Sequence, residues 1–353
     1  MSLCSTERRS RRFCKKSKTT LPKALRKKAM NSDLKATAEF LKTCTRVSIF
    51  SHVNPDGDAI GSSCALAKGL ASLGVKADIY NVSPIPKAYY FLPKAKETKL
   101  FSGTEELAPV IIVADCANLK RAELDKYPES LAGKIVVEID HHVGNEYFGK
   151  YNYVESESIA NCENVYRILS AMGAEIDAET ATALYLGLST DSGSFRFDAV
   201  TAETHRIAAE LLEKGARTDL VRMNIYESVS KAKLTLQKYL FAHLNFACAG
   251  KIAWCALNAD ILAETQAESN DIDGLVDILK NIEGVEIAIL LRERADGVKI
   301  SFRSKEWVNV NELAQNFGGG GHVRAAGATI NEPLIKATEA VLACAEQSLG
   351  EKR

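Results

Sequence analysis

The chain lacks any apolar run that approaches the roughly 18 residues needed to cross a bilayer. No apolar segment typical of a secretory signal follows its basic start. Its nine cysteines are scattered through apolar segments and include no Cys-x-x-Cys pair, which argues against a zinc ribbon and for a reducing compartment. These absences predict a cytoplasmic protein that does not enter a membrane.

A net charge is also lacking, but the two signs are unevenly distributed. Residues 1–30 hold 11 of the 45 basic residues and one of the 45 acidic residues, so this stretch carries +10 and the remainder −10. An acidic body is not a basic nucleic-acid clamp, so any nucleic acid that it binds is expected to be short or bridged by metal. The basic stretch is predicted to be disordered. Organelle targeting, a nucleic-acid-binding arm and an over-extended start site all remain open for it.

The composition, 353 residues with 46% hydrophobic and 25% charged side chains, is typical of a soluble globular protein with room for two domains. In one short stretch, His52, Asp56 and Asp58 lie within seven residues. The β-branched sequence before them predicts a buried strand at 45–50, and the Ala- and Leu-rich sequence after them predicts a helix at 59–73. Taken alone, the stretch is equally well interpreted as a capping turn with Asp58 as the N-cap.

Further carboxylates and imidazoles end two other predicted strands and one predicted helix. Asp115 follows one apolar run, an Asp-His-His triplet follows a second, and Asp191 ends a helical segment. Strands that alternate with helices form a parallel sheet, and ligand sites lie at the carboxyl edge of such a sheet. Each residue alone is as readily a turn or cap residue, but together they predict one metal site made of His52, Asp56, Asp58, Asp115, His141 and Asp191.

The number of donors predicts two cations rather than one. Six protein ligands are too many for a single Mg²⁺ or Ca²⁺ that must also bind substrate, and too few sulfurs are nearby to favour zinc. Two cations roughly 3.5–4 Å apart, sharing Asp115, can hold a bridging hydroxide and clamp the oxygens of a phosphoryl group. Two imidazoles among the ligands favour Mn²⁺, with Mg²⁺ or Co²⁺ as alternatives.

The sequence pattern changes in the last third of the chain. Short strands, a helix at about 270–282, a hairpin through Asp296-Gly297 and a last helix at 332–348 predict a second, smaller α+β domain. The predicted fold class is therefore α/β, with a parallel-sheet N-terminal domain joined by a helical linker to this domain. The predicted boundaries are 1–30 for the extension, 31–215 for the catalytic domain, 216–242 for the linker and 243–353 for a substrate-binding domain.

The second domain contains four successive glycines at 318–321. Without Cβ atoms, their backbone N–H groups can approach an anion closely. Nearby arginines can fork onto a phosphate or stack on a base. A flexible loop is the alternative interpretation. The predicted substrate-binding residues are Arg303, Ser304, Gly319, Gly320, Gly321, His322 and Arg324.

Taken in order, these motifs resemble those of a known family. His-x-Asn-Pro-Asp-Gly-Asp-Ala-Ile-Gly-Ser at 52–62, the isolated Asp115, the triplet at 140–142 and Thr-Asp-Ser-Gly-Ser-Phe at 190–195 resemble the four motifs of the DHH phosphoesterase superfamily. Gly-Gly-Gly-Gly-His-x-Arg-Ala-Ala-Gly at 318–327 resembles the signature of its DHH-associated C-terminal domain. The compact two-domain length is similar to that of the nanoRNase branch, the bifunctional oligoribonucleases and phosphoadenosine-phosphate phosphatases.

The resemblance implies roles for particular residues. A first cation would lie on His52, Asp56 and Asp115. A second would lie on Asp58, Asp115, His141 and Asp191. Asp140 would orient one of the ligands, and His142 would face the scissile phosphate, where it stabilises charge or protonates the leaving oxygen.

The predicted function is that of a Mn²⁺-dependent phosphoesterase. It would hydrolyse short oligoribonucleotides to mononucleotides, and 3′-phosphoadenosine 5′-phosphate to AMP, through a hydroxide activated by two metals. Hydrolysis of cyclic di-AMP or linear dinucleotides is the alternative within the same chemistry. A nucleotide-binding regulator without turnover is less favoured because the set of six ligands is complete. No membrane partner is expected, and a homodimer stays open.

Overall fold

The computed structural model describes residues 31–350, so the predicted disordered extension at 1–30 lies outside the described residues. The chain divides into two compact units, with the boundary between Ile225 and Tyr226. Strands and helices are numbered in chain order through both units. Within 31–350, no helix is both long enough and apolar enough to cross a membrane.

The first unit is built on a six-stranded parallel sheet with the order β3-β2-β1-β4-β5-β6. Its strands are β1 (Arg46–Phe50), β2 (Lys76–Asn81), β3 (Lys99–Leu100), β4 (Val110–Ala114), β5 (Ile135–Asp140) and β6 (Tyr151–Val154). The chain winds outward from β1 to β3 and then, in the other direction, from β4 to β6. The neighbours β1 and β4 therefore form the topological switch point, outside whose carboxyl ends ligands bind in such sheets.

Helices and loops cover both faces of this sheet. The helices of the first unit are α1 (Leu34–Lys42), α2 (Gly57–Ser72), α3 (Pro93–Lys96), α4 (Pro128–Leu131), α5 (Asn161–Met172), α6 (Ala178–Asp191), α7 (Ala202–Glu213) and α8 (Thr218–Val221). Every residue of the apolar strand β4 is buried. Ile112 packs into one core cluster, whereas Ile111 and Val113 pack into another on the opposite face. A continuous apolar run is what a strand covered on both faces requires.

The close approach of α2 and α6 depends on small residues. A Cβ atom on Gly61 would lie 2.4 Å from the carbonyl oxygen of Ala183, and one on Gly187 would lie 2.2 Å from Sγ of Cys162. Such distances are far below van der Waals contact, so only glycine fits at these two positions. The crossing brings the first turn of α2 beside the last turn of α6.

The second unit contains another six-stranded sheet, with the order β11-β12-β10-β9-β8-β7. Its strands are β7 (Asn245–Ala247), β8 (Ile252–Leu257), β9 (Ile287–Arg294), β10 (Gly297–Ser304), β11 (Gly320–His322) and β12 (Ala325–Ile330). Its helices are α9 (Lys231–Ala242), α10 (Ala259–Thr265), α11 (Ser269–Ile272), α12 (Leu275–Lys280), α13 (Val310–Gln315) and α14 (Leu334–Gly350). Neighbouring strands are antiparallel except β8 and β9, which are parallel.

Two apolar clusters lie on opposite faces of this second sheet. Ile289 of β9 packs into the cluster that includes residues of α13 and α14. Ala288 and Leu290, which point the other way, pack into the cluster that includes residues of α9 and α12. This alternation is the period of two expected of a β-strand.

The predicted fold class is confirmed: a parallel α/β sheet is followed by a smaller α+β sheet. One local expectation was wrong. The helix expected over 270–282 is divided into α11 and α12, because Gly274 adopts a left-handed φ of +80°. The stretch between β2 and β4 contains α3 and β3.

The predicted linker, residues 216–242, is divided between the two units. Its first part, through Ile225, belongs to the first unit. Its last helix, α9, buries Leu236 and Leu240 in the core of the second unit.

Candidate metal centre

The turn after β1 positions the first donors. Asp56 is the N-cap of α2, and its Oδ1 accepts hydrogen bonds of 3.1 Å from the backbone N–H groups of Asp58 and Ala59. Asp56, and not Asp58, therefore caps the helix, which begins two residues earlier than the sequence predicted. The other carboxylate oxygen of Asp56 lies 3.6 Å from Nε2 of His52. Asp56 thus caps the helix with one carboxylate oxygen and lies near His52 with the other.

Asp115 lies between two imidazoles at the end of β4. Its Oδ2 is 3.5 Å from Nε2 of His52, and its Oδ1 is 3.5 Å from Nε2 of His141. The residue has a left-handed φ of 57°, which is uncommon outside glycine but tolerated by Asp and Asn. Its backbone N–H donates to the carbonyl of Ile139 at 2.9 Å, which ties the end of β4 to β5.

A second group of donors gathers around His141. Its Nε2 lies 3.8 Å from Oδ2 of Asp58 and 3.4 Å from Oδ2 of Asp191. Its Nδ1 lies 3.1 Å from the carbonyl oxygen of Ser158. A backbone carbonyl can only accept, so Nδ1 carries the proton and Nε2 keeps a lone pair toward the carboxylates, the arrangement usual for metal-binding histidines.

The six predicted donors therefore converge, and their chemistry fits divalent cations. The ligand atoms of His52, Asp56 and Asp115 lie within 4.8 Å of one another, as do those of Asp58, His141 and Asp191. Nε2 of His52 and Oδ1 of Asp115 are buried without any hydrogen-bond partner in the described part of the chain. Because a buried polar atom left unsatisfied is costly, both atoms fit the role of cation ligands. Oxygen and imidazole donors in this mixture suit a divalent cation.

The close packing of the carboxylates and imidazoles shifts the pKa values of the aspartates. Burial, together with the charge of Asp115, raises the pKa of Asp58 to about 7. Burial and three neighbouring carboxylates also raise the pKa of Asp191 well above its ordinary value. Burial would raise the pKa of Asp115 as well, but contacts with His141 and His52 hold it well below its usual range. A carboxylate cluster of this kind is stabilised when cations bind.

The histidines show the complementary effect. Burial opposes the charged form of His52, but its contacts with Asp115 and Asp56 raise its pKa well above the ordinary value. The pKa of His141 is raised in the same way, chiefly by Asp115 and Asp58. The neighbouring carboxylates therefore favour the charged form of both imidazoles.

Asp140 contacts the histidine beside the predicted ligand. Its Oδ1 lies 2.7 Å from Nδ1 of His142, and its Oδ2 accepts a 2.6 Å hydrogen bond from Asn145. It therefore orients His142 and not one of the predicted metal ligands. Burial raises the pKa of Glu138, which also accepts from Asn145, to about 8. The network beneath His142 is buried and rigidly connected.

Sequence reasoning missed one residue at this site, Arg121. Its guanidinium Nη1 lies 2.5 Å from Nε2 of His142, on the side opposite Asp140. In the sequence, Arg121 is a lone arginine in the loop six positions after Asp115. Its short distance in sequence from Asp115 is the one signal that could have identified Arg121 as a site residue.

The second half of the glycine run, Gly320 and Gly321, lies in a strand rather than in an open loop. Gly320, Gly321 and His322 make up β11, the edge strand that pairs with β12. A Cβ atom on Gly319 would lie 2.1 Å from the carbonyl oxygen of Gly327, and one on Gly321 would lie 2.5 Å from that of Ala325. These two glycines are therefore required by strand packing, and the loop interpretation was wrong. The backbone of residues 320–322 is exposed.

The remaining predicted substrate residues divide into two groups. The buried hydroxyl of Ser304 donates to the carbonyl of Val308 at 2.6 Å. Arg324 donates to the carbonyls of Val308 and Glu306, so both side chains hold the protein's own backbone. Arg303, by contrast, lines a pocket whose other cationic residues are Arg292 and Lys299. Burial and the neighbouring cations lower the pKa of both Arg292 and Lys299.

A doubly wound sheet with carboxylates and imidazoles gathered at its switch point defines the class: an α/β protein whose site could hold divalent cations. Residues 46–188 match the DHH family, N-terminal domain, and residues 251–351 match the DHHA1 domain. The chain belongs to the DHH family.

Comparison with known proteins supports the same assignment along nearly the whole chain. This chain is 35% identical to the bifunctional oligoribonuclease and PAP phosphatase NrnA of Thermus thermophilus, over 90% of this chain and 94% of that protein. It is 29% identical to the protein of the same name from Bacillus subtilis, over 79% and 87% of the two chains. Among solved structures, an exopolyphosphatase-related protein from Bacteroides fragilis matches with a TM-score of 0.82 and 28% identity, over 90% of this chain and 95% of that chain.

Proposed function

We propose that this protein is a metal-dependent phosphoesterase that hydrolyses short oligoribonucleotides to mononucleotides and 3′-phosphoadenosine 5′-phosphate to AMP. The observation that carries the proposal is the convergence of six carboxylate and imidazole donors around Asp115. The relatives named oligoribonuclease and PAP phosphatase supply the substrate class.

The donor groups suggest how two cations would be held. His52, Asp56 and Asp115 would hold the first, and Asp58, Asp115, His141 and Asp191 would hold the second, with Mn²⁺ as the preferred ion. Bound at these positions, the cations would supply Lewis-acid activation of water and neutralise phosphate charge. The carbonyl of Ser158 keeps His141 turned toward the carboxylates.

His142 is the proposed group at the scissile phosphate. Asp140 fixes the orientation of its imidazole through the 2.7 Å contact at Nδ1. Nε2, which Arg121 contacts in this structure, is then the nitrogen that can stabilise charge on the phosphate or pass a proton to the leaving oxygen. Asp140 stabilises the imidazolium that this role requires.

In the second unit, we assign substrate recognition to the basic pocket and the exposed edge. Arg303, with Arg292 and Lys299 beside it, provides cationic donors for a nucleotide phosphate. The exposed backbone of Gly320 and the side chain of His322 on β11 are the further candidates. The backbone of this region is held in shape by the remaining candidates, Ser304, Gly319, Gly321 and Arg324.

A direct assay separates the proposal from its alternatives. The purified chain is supplied with Mn²⁺ and given a labelled RNA trinucleotide, an RNA of about two dozen nucleotides, 3′-phosphoadenosine 5′-phosphate and cyclic di-AMP. We expect fast hydrolysis of the trinucleotide and the bisphosphate and slow hydrolysis of the long RNA. Equal rates on the two RNAs would contradict the preference for short substrates, and hydrolysis of cyclic di-AMP alone would favour the dinucleotide alternative. Asp115→Asn, prepared identically, controls for contaminating nucleases.

The cellular location and oligomeric state stay predictions. All seven cysteines in the described part of the chain are free thiols, which supports a reducing, cytoplasmic compartment. Light scattering on the purified chain decides between the monomer and the homodimer.

A further inference from the structure

Arg121 is a cationic side chain that has no anionic partner among residues 31–350, although the candidate metal centre contains many carboxylates. Its side chain is half-buried, and its guanidinium makes no ion pair with any carboxylate among residues 31–350. Its side-chain partner is Nε2 of His142, a nitrogen and not an anion. A partly desolvated guanidinium is normally placed where it can bind carboxylate or phosphate.

The contact between Arg121 and His142 defines the hydrogen-bonding roles of the two imidazole nitrogens. A guanidinium can only donate, so Nε2 of His142 must accept. The proton of the neutral ring then resides on Nδ1 and is donated to Asp140 at 2.7 Å. In this arrangement, Nε2 is covered by Arg121 and cannot contact a substrate.

The loop that carries Arg121 is fixed by both neighbouring turns of the site. The carbonyl of Arg121 accepts a 2.9 Å hydrogen bond from the N–H of Val53, in the turn after β1. The carbonyl of Ala117, in the same loop, accepts one of 2.9 Å from Glu146, in the loop after β5. The amide of Arg121 donates to Asn118. The backbone is thus anchored, and only the side chain has freedom to move.

We propose that Arg121 is a further catalytic residue, which leaves Nε2 of His142 when substrate binds and donates to a non-bridging oxygen of the scissile phosphate. The inference rests on the proposed function, because it assigns the phosphate to this site. The exchange gives the guanidinium an anionic partner and frees Nε2 of His142, which takes up a proton from solvent and then donates it to the leaving oxygen. A phosphate oxygen is a stronger acceptor for a guanidinium than a neutral imidazole is.

The test compares Arg121→Ala and Arg121→Lys with the wild-type chain. Removing one preorganised donor from a developing charge lowers kcat by about 10²- to 10³-fold, so we expect a loss of this size in Arg121→Ala. Guanidinium ion added at low concentration should restore part of the lost rate. Arg206→Ala, which removes an exposed arginine paired with Glu203, serves as the matched control and should behave as wild type.

A second readout does not depend on turnover. Calorimetric titration with 5′-AMP, in the presence of Mn²⁺, should show AMP affinity at least about tenfold weaker in Arg121→Ala, about 1.4 kcal/mol, with unchanged Mn²⁺ affinity. If Arg121 served only to orient His142, its removal would have no effect on AMP affinity in a His142→Asn background. We expect the same loss of AMP affinity in both backgrounds.

The outcomes separate the inference from the proposed function. Unchanged AMP affinity in Arg121→Ala, or an effect that vanishes in the His142→Asn background, overturns the role of Arg121 even if the wild-type chain is an active phosphoesterase. A wild-type chain that binds AMP through Arg121 but hydrolyses no substrate overturns the proposed function and the catalytic role of Arg121, and supports only its contact with phosphate. Arg121→Lys and a thermal melt of each variant distinguish lost chemistry from lost folding.

Discussion

The carboxylate of Asp58 accepts the backbone N–H of Asn161 at 2.5 Å, which places it on the N-terminus of α5. Its other oxygen accepts the N–H of Cys162 at 2.9 Å. The unpaired N–H groups and the dipole of a helix start favour a negative charge. The fully buried Asp58 is thus aimed at His141 by a helix that contributes no predicted ligand of its own.

The first prediction concerns Gly187, which packs against this assembly. A Cβ atom at Gly187 would lie 2.2 Å from Sγ of Cys162 and 2.5 Å from Oδ1 of Asp58. We expect Gly187→Ala to lower the free energy of unfolding by about 1–3 kcal/mol, because the core has no room for the methyl group. Displacement of Asp58 should also weaken Mn²⁺ binding. Denaturant unfolding and metal titration measure the two effects.

Cys162→Ala provides the control for Gly187→Ala. Removing Sγ opens space beside residue 187, so the double variant should recover part of the lost stability. Equal stability of the single and double variants would show that the clash with Cys162 is not the cause.

The second prediction concerns the centre of the site, Asp115. Because its two oxygens face His52 and His141 separately, we expect Asp115→Asn to abolish hydrolysis of every substrate and to reduce the number of Mn²⁺ ions bound per chain. Asn tolerates the left-handed φ of 57° at this position, so the chain should still fold. Asp115→Ala should lose activity equally. It should also be less stable, because alanine is strained by the left-handed φ at this position. Near-normal rates in Asp115→Asn would exclude the shared-ligand role.

The third prediction concerns pH. In the metal-free chain, the raised pKa values of Asp58 and Asp191 mean that the folded state holds protons that the unfolded state releases above about pH 4. The raised pKa values of His52 and His141 act in the same sense above about pH 6.5. Stability from all four groups is therefore lost as pH rises. Asp115, whose pKa is lowered, acts oppositely but only below about pH 4.

We therefore expect the Tm of the metal-free chain to fall as the pH is raised from about 5 to about 8. Mn²⁺ competes with protons for the same groups, so it should raise Tm more at the upper end of this range. Scanning calorimetry with and without EDTA measures both trends. Asp58→Asn should flatten the metal-free profile. A metal-induced rise in Tm that is larger at low pH would contradict the assignment.

The fourth prediction concerns the basic pocket of the second unit. Arg303→Ala should raise KM for a trinucleotide by about tenfold, the loss of one charge-assisted hydrogen bond, with little change in kcat. His322→Ala should likewise act mainly on substrate binding. Arg206→Ala is the control, because this exposed arginine pairs with Glu203 in the first unit. Steady-state kinetics on the three variants measure KM and kcat. A fall in kcat with unchanged KM would contradict the binding role.

The sequence was sufficient to predict most of this site because the donors follow apolar runs. Asp115 and His141 each end a buried strand, and the rule that parallel strands open at one edge brings them together. Arg121 escaped prediction because its position depends on loop contacts with Val53 and Glu146, which no local pattern encodes. Likewise, the pairing of Asp140 with His142, rather than with a metal ligand, depends on side-chain geometry alone.

Parts of the fold were missed for a similar reason. Strand β6 is short, and its Asn152 makes local hydrogen bonds with Gly149, so neither length nor apolar alternation marks it as a strand. β11 consists mostly of glycine, which has low strand propensity. It forms because Gly319 and Gly321 permit close contact with β12, a tertiary effect that overrides propensity.

Within the described chain, all the clustered metal-type donors come from the first unit, and the basic pocket lies in the second. The proposed bond-breaking and substrate-recognition roles therefore fall on separate stretches of the chain. Substitutions confined to the C-terminal stretch would then change which molecules are selected and leave every metal donor in place.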